Sequence, residues 1–122
     1  MPHTRQRLGD RGEQIAERFL AARGYTVLRR KYRCAEGEID LVCRDGNTVT
    51  FVEVKTRRGT AFGAPEEAVT PAKLAHIAQA GQQYLTEQGC QEQPWRIDVV
   101  AVEPDAGGRL VDMRLIVSAA DW

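Results

Sequence analysis

Asp40, Glu53 and Lys55 sit inside the stretch GEIDLVCRDGNTVTFVEVKTR, residues 37–57, among Ile39, Leu41, Val42, Cys43, Val49, Phe51, Val52 and Val54. Such β-branched and apolar company marks two strands, 38–44 and 48–57, joined by a turn at DGN. Charges in strands of this kind either face solvent or do chemistry. Side chains alternate across a strand, so Glu38, Asp40 and Val42 share one face while Ile39, Leu41 and Cys43 share the other. In the partner strand Val49, Phe51, Glu53 and Lys55 share a face. A two-residue loop at Gly46-Asn47 pairs Asp45 with Thr48 and, counting back, sets Asp40 opposite Glu53 and Glu38 opposite Lys55.

Directly opposed carboxylates repel. A divalent cation between them reverses the sign, and Mg²⁺ bound by few carboxylates keeps positions open for water and phosphate. Lys55 is on the same side, placed to orient or deprotonate a water, or to stabilise charge developing on a phosphate. The competing reading is a solvated polar face carrying a Glu38–Lys55 ion pair. Val49 and Phe51 on that face argue that it is covered.

The elements that must position these residues follow an α-β-β-β-α-β-β order. Residues 7–23 carry Ile15, Ala16, Phe19 and Leu20 at helical spacing, with Gly24 as the stop. A first strand spans 25–32. The loop RRGTAFGAPEE separates the hairpin from a second helix, which Thr70 and Pro71 start and Gly89 ends, with Leu74, Ile77, Ala78, Tyr84 and Leu85 as its buried face. Strands 95–102 and 110–117 complete an α/β domain, a mixed central sheet with flanking helices. At 122 residues the whole chain, 1–122, reads as one domain.

Composition narrows the function class. No apolar run approaches the 18 or more residues of a membrane helix, and MPHTRQRLGDRGEQ has no signal-peptide core, so no membrane is expected. Cys34, Cys43 and Cys90 are odd in number and lack CxxC spacing, which disfavours a disulfide framework or zinc site and fits a reducing cytoplasm. His3 and His76 offer little for histidine-based chemistry, and His76 reads as a helix-surface or packing residue. The zero net charge hides an asymmetry. Residues 1–34 hold nine Lys/Arg against three acids, net +6, and the rest is net −6. A basic block beside an acidic site suggests a polyanion surface, or else a solvated helix face and polar turn.

GEIDLV followed after a turn by FVEVKTR resembles the metal-dependent nuclease core of the PD-(D/E)xK superfamily, the restriction-endonuclease-like fold. The wider string, from GDRGEQIAERFLAARGY through GEIDLVCRDG, TFVEVKTRRGTAFGAPEEAV and LAHIAQAGQQYL to WRIDVVAV, resembles the bacterial YraN-like family, itself similar to archaeal Holliday junction resolvases. Ile39 stands where the superfamily often has proline, which alters strand entry rather than a ligand. The resemblance implies Asp40 and Glu53 as metal ligands with the backbone carbonyl of Val54, Lys55 as catalytic lysine, and Glu13 as the acid of the first helix. It implies Mg²⁺ or Mn²⁺ as cofactor, structured or branched DNA as substrate, and a homodimer, because cutting two strands symmetrically calls for paired sites.

The residues themselves leave alternatives. Glu13 lies at the edge of the apolar stripe, able to lean over the sheet or simply to favour the helix dipole. Thr56 and Arg57 are phosphate contacts or plain strand-end residues. Asp98 supports the ligands or is a hydrogen-bonded structural acid. Arg29, Arg30, Lys31, Arg33 and Lys73 are candidates for contact with a duplex backbone, and nothing resembles a base-reading helix. Trp95 reads as core, and Trp122 as docking on the body or on a partner chain. The expected function is metal-dependent phosphodiester hydrolysis of DNA. Rivals are a nucleic-acid-binding or scaffold protein that keeps the fold without turnover, and RNA as substrate.

Overall fold

The computed structural model describes residues 4–57, 63–104, 107 and 109–120. Helix α1 (Thr4–Ala22) leads into strands β1 (Thr26–Cys34), β2 (Gly37–Asp45) and β3 (Thr48–Thr56). A short 3₁₀ turn (Pro65–Ala68) precedes helix α2 (Pro71–Glu87), and strands β4 (Trp95–Pro104) and β5 (Leu110–Ile116) follow. The five strands lie side by side in chain order; β3 and β4 run parallel and every other pair antiparallel. This is the expected element order and the expected mixed sheet.

Helix α2 has the N-terminus its sequence specifies: the Thr70 hydroxyl accepts from the Lys73 N–H at 3.2 Å, with Pro71 in the first turn. Its buried face, Ile77, Ala80, Tyr84 and Leu85, meets Tyr32, Ile39, Val42, Val49, Phe51 and Ile97. Gly81 is required at this contact, because a Cβ there would stand 2.4 Å from the Phe51 ring. Trp95 packs on the same cluster, 5.8 Å from Phe51 between ring centroids, half-buried rather than fully inside. Leu74 and Ala78 are only partly buried, and His76 is a surface residue. On the opposite face of the sheet, Ala16 and Leu20 of α1 pack with Tyr25, Leu41, Cys43, Val52, Val54, Val100 and Val102. The hairpin is therefore covered on both sides, which is why its strands read as nearly continuous apolar runs.

Three sequence expectations need correction. The loop between β3 and α2 contains the 3₁₀ turn, set by Pro65 and anchored where both carboxylate oxygens of Glu66 accept from Arg114 of β5, at 3.0 and 2.6 Å; the part of the loop at residues 58–62 and Trp122 lie outside the described residues. The first strand runs on to Cys34, and within it Leu28 is an extra, bulged residue between the pairs Val27↔Cys43 and Arg29↔Val42. Strict alternation also fails in β2. Val42 faces α2 and Leu41 faces α1 as alternation demands, but Ile39 packs on the α2 side with Val42 instead of joining Leu41.

Close approach of α1 to the site end of β3 rests on Gly12, where a Cβ would come within 2.2 Å of the Thr56 hydroxyl oxygen. That oxygen is buried and makes no hydrogen bond. An alanine at a helix interior gains ~1 kcal/mol over glycine, whereas a forced overlap costs about 1–3 kcal/mol. Gly12→Ala is expected to lower the melting temperature despite its better helix propensity, and Thr56→Ala introduced beside it is expected to restore it. Thermal melts of the two single variants and the double variant check this; additive losses would mean the contact is not the cause.

Candidate metal and phosphate site

The turn Gly46-Asn47 pairs Asp45 with Thr48, and the β2–β3 ladder runs back from there to Leu41↔Val52, where it stops. One step further lie Asp40 and Glu53. The Val54 N–H, which would otherwise look for a carbonyl on β2, donates instead to the Asp40 carboxylate at 2.8 Å. Backbone N–H and C=O of one strand residue point to the same side, so the Val54 carbonyl also looks out toward Asp40 beyond the last rung. Asp40 is partly buried and Glu53 is 8% exposed.

Glu53 lies on the face of Phe51 and α2, and Lys73 in the first turn of α2 brings its ammonium to 4.0 Å from the Glu53 carboxylate. Burial, then the neighbouring Asp40 charge, pushes Glu53 well above the ordinary carboxylate range, against the pull of Lys73 and Lys55. Asp40 is raised as well, first by burial and then by Glu38, although the Val54 N–H and the charges of Lys73 and Lys31 favour its ionised form. Lys55 is partly exposed and acts on Glu53 through its charge. So the structure brings together Asp40, Glu53, Lys55 and the Val54 backbone, and adds Lys73 from α2 on the face of the sheet.

Glu13 is reached differently. It stands on α1 with its carboxylate 3.9 Å from the Lys31 ammonium, and the two line a cavity of about 330 Å³ with Gln14, Glu17, Arg30 and Leu41. Among the described residues no group of three or more His, Cys, Asp or Glu side chains could hold a metal ion. Glu13 thus neighbours the carboxylate pair through Lys31 rather than joining it.

The basic segment of β1 is largely engaged within the molecule. Arg30 donates to both oxygens of Glu17, Nε at 2.9 Å, which holds that carboxyl below its usual range. Arg33 lies 3.5 Å from Glu38, and Arg29 stacks over the Tyr32 ring at 5.1 Å. Glu38 therefore pairs with Arg33 rather than with Lys55, because β2 has left β3 before reaching it. Arg57 continues from β3, its N–H donating to the Val102 carbonyl at 3.0 Å.

Asp98 is a structural acid. Fully buried on the α1 face, it accepts from the Tyr25 hydroxyl at 2.7 Å, from Arg96 Nε at 2.9 Å and from the Ser118 N–H at 3.0 Å. Burial and the bond to Asp98 push the Tyr25 phenol up to about 12, so it remains a donor. Arg96 also reaches Asp45 at 2.7 Å and so ties the hairpin turn to β4. Glu53 belongs to the other face of the sheet.

One backbone feature at the site escaped sequence reasoning. Lys31 has φ +51° and, with Ser118, is one of two non-glycine residues of positive φ among those described. Left-handed backbone costs a lysine ~1–2 kcal/mol. Asn or Gly would have announced such a position; lysine carries no signal for it.

A family model described as "Uncharacterised protein family UPF0102" matches residues 12–102, from Gly12 of α1 to Val102 within β4. The chain belongs to this family. A UPF0102 protein of Symbiobacterium thermophilum is 49% identical over 114 residues, covering 93% of this chain and 96% of the relative. One from Caldicellulosiruptor saccharolyticus is 39% identical, covering 95% and 98%, and one from Roseiflexus castenholzii is 50% identical, covering 84% and 83%. The UPF0102 match takes in Glu13, Lys31, Asp40, Glu53, Lys55 and Lys73. Membership leaves the reaction to be argued from the site. No helix among the described residues is long and apolar enough to cross a membrane.

Two raised carboxylates mean that the folded state binds more protons than the unfolded chain above their ordinary values, 3.8 for Asp40 and 4.5 for Glu53, so their joint contribution to stability falls as pH rises. Without added metal, Glu53→Gln is expected to stabilise the protein at pH 7–8 by about 1–2 kcal/mol, a few degrees in melting temperature, with the gain vanishing towards pH 4. Melting curves across this pH range measure it; a destabilised variant at pH 8 would contradict this account of burial and like charge.

Proposed function

We propose that this protein is a divalent-cation-dependent nuclease that hydrolyses phosphodiester bonds in DNA, with branched or otherwise structured DNA preferred. The observation that carries this reading is the placement of Asp40 and Glu53 together at the end of the β2–β3 ladder, with Lys73 and Lys55 acting on them. A structural role is poorly served by juxtaposing two half-desolvated acids, each held above its ordinary range. A cation-binding role is well served.

The donor set suits a hard cation. Two carboxylates and the outward-looking Val54 carbonyl are oxygen donors of the kind that Mg²⁺ and Mn²⁺ take, few enough to leave positions for water and phosphate. When bound, such an ion supplies Lewis-acid polarisation of a phosphate oxygen. The Val54 N–H fixes Asp40, leaving its second oxygen for the ion. Lys55 holds its charge beside Glu53, where it can stabilise a phosphate under attack or orient the attacking water. Lys73, 4.0 Å from Glu53, can turn to a neighbouring phosphate when Glu53 holds a cation. Symmetric cutting of a branched substrate requires two such sites, hence two copies of the chain.

Single-turnover cleavage of labelled linear, flapped and four-way-junction DNA at saturating protein and Mn²⁺ tests the proposal. Wild type is expected to cut the branched substrates. Lys55→Ala is expected to lose ~10²-fold or more in rate with the dissociation constant for DNA nearly unchanged, because its contribution belongs to the transition state. Tight DNA binding with no cleavage would favour a binding module, and cleavage of RNA alone would move the substrate class.

Salt dependence separates the basic residues. Lys73→Ala is expected to lower the slope of log affinity for DNA against log salt by about one. Arg30→Ala is expected to change it far less, because Glu17 already neutralises that guanidinium. Equal slopes for the two variants would return β1 to the phosphate-binding surface.

A further inference from the structure

The β1–β2 ladder pairs Arg30 with Leu41 and Tyr32 with Ile39, leaving Lys31 and Asp40 as the residues of the rung between. Across this rung both strands change sides together. Arg30 reaches α1 through Glu17, whereas Tyr32 lies in the core beneath α2; Leu41 packs with α1, whereas Ile39 packs with α2. Residues two apart in a strand ordinarily share a face. The reversal in β1 coincides with the left-handed backbone of Lys31. The reversal in β2 falls on Asp40, whose carboxylate takes the Val54 N–H where the β2–β3 ladder has stopped. At the same position the Lys31 ammonium lies 3.9 Å from Glu13 of α1 and acts through its charge on Asp40.

We propose that Lys31 is a positioning residue whose left-handed backbone turns the β1–β2 rung so that Asp40 meets the Val54 N–H and Glu53, while its ammonium ties Glu13 of α1 to that rung. Lys31 then acts on the site through Asp40 and not as a phosphate ligand, and Glu13 acts through Lys31. The inference rests on the proposed cation site for its purpose, but its geometry stands without it.

Substitutions that remove the same charge and differ in backbone freedom isolate the effect. Glycine adopts positive φ freely, alanine resists it, and β-branched valine resists it most although it is the best strand former of the three. In metal-free protein, hydrogen exchange of the Val54 amide reports the bond to Asp40 directly. Protection is expected to survive in Lys31→Gly, to weaken in Lys31→Ala and to fall at least tenfold in Lys31→Val, while amides of the β3–β4 ladder hold theirs. If Lys31→Val fails to fold, the comparison of glycine with alanine decides. Equal Val54 protection in the glycine and alanine variants, or in all three, would overturn the proposal.

Mn²⁺ titration gives a second reading. Lys31→Gly is expected to bind at least as tightly as wild type, with a nearby positive charge gone, and Lys31→Val at least tenfold more weakly. Wild type that takes up no Mn²⁺ would sink the cation-dependent function while the Val54 exchange still judges Lys31. Mn²⁺ bound equally by the glycine and valine variants would remove Lys31 from the placement of Asp40.

Discussion

One hydrogen bond organises this end of the molecule: the Val54 N–H donating to the side chain of Asp40. A backbone donor in the middle of a sheet needs a partner, and here a carboxylate supplies it in place of a strand carbonyl. That substitution ends the β2–β3 ladder without leaving a buried donor unmet. It also lets β2 peel away, carries Glu38 off toward Arg33, and leaves Asp40 and Glu53 at the mouth of the opening. Had β2 continued in register, Glu38 would have come to Lys55 and neutralised it. Ending the ladder keeps that ammonium beside Glu53 instead.

Holding two acids together below the surface is unfavourable, and the surroundings offset only part of it. Lys73, Lys55 and Lys31 arrive from α2, β3 and β1, so no single element neutralises the pair. Lys73 stands 4.0 Å from Glu53, a looser contact than that of Arg96 on Asp98 at 2.9 Å or Arg114 on Glu66 at 2.6 Å. The contrast is chemical. Arg96 and Arg114 meet their carboxylates through planar, hydrogen-bonded forks that fix structure. Lys73 and Lys55 beside Glu53 are point charges on flexible stems, with no such planar fork to fix them in place.

Much of this was legible in the sequence because it depends on local patterns. The Gly46-Asn47 turn fixed the parity of the hairpin, and parity alone put Asp40 near Glu53. Thr70-Pro71 announced α2, and apolar spacing announced the buried faces of both helices. What the sequence hid were effects of the backbone that no residue type advertises: the reversal of sides at Lys31 and Asp40, and the bulge at Leu28. Pairings across long separations were equally silent. The charges of β1 read as an open basic surface because Glu17 and Glu13, on a helix more than ten residues earlier, come to lie against Arg30 and Lys31 only in the fold. Asp98 was ambiguous for the same reason, since Tyr25 stands 73 positions away in the chain.

The bulge at Leu28 bears on assembly. Strand β1 forms one border of the sheet, and a straight border with unsatisfied backbone groups invites another chain to pair with it. Here the extra residue twists that border, and Arg29, Arg30, Lys31 and Arg33 follow it immediately along the strand. The bulge therefore makes β1 a poor template for a further strand and guards the sheet against edge-to-edge growth.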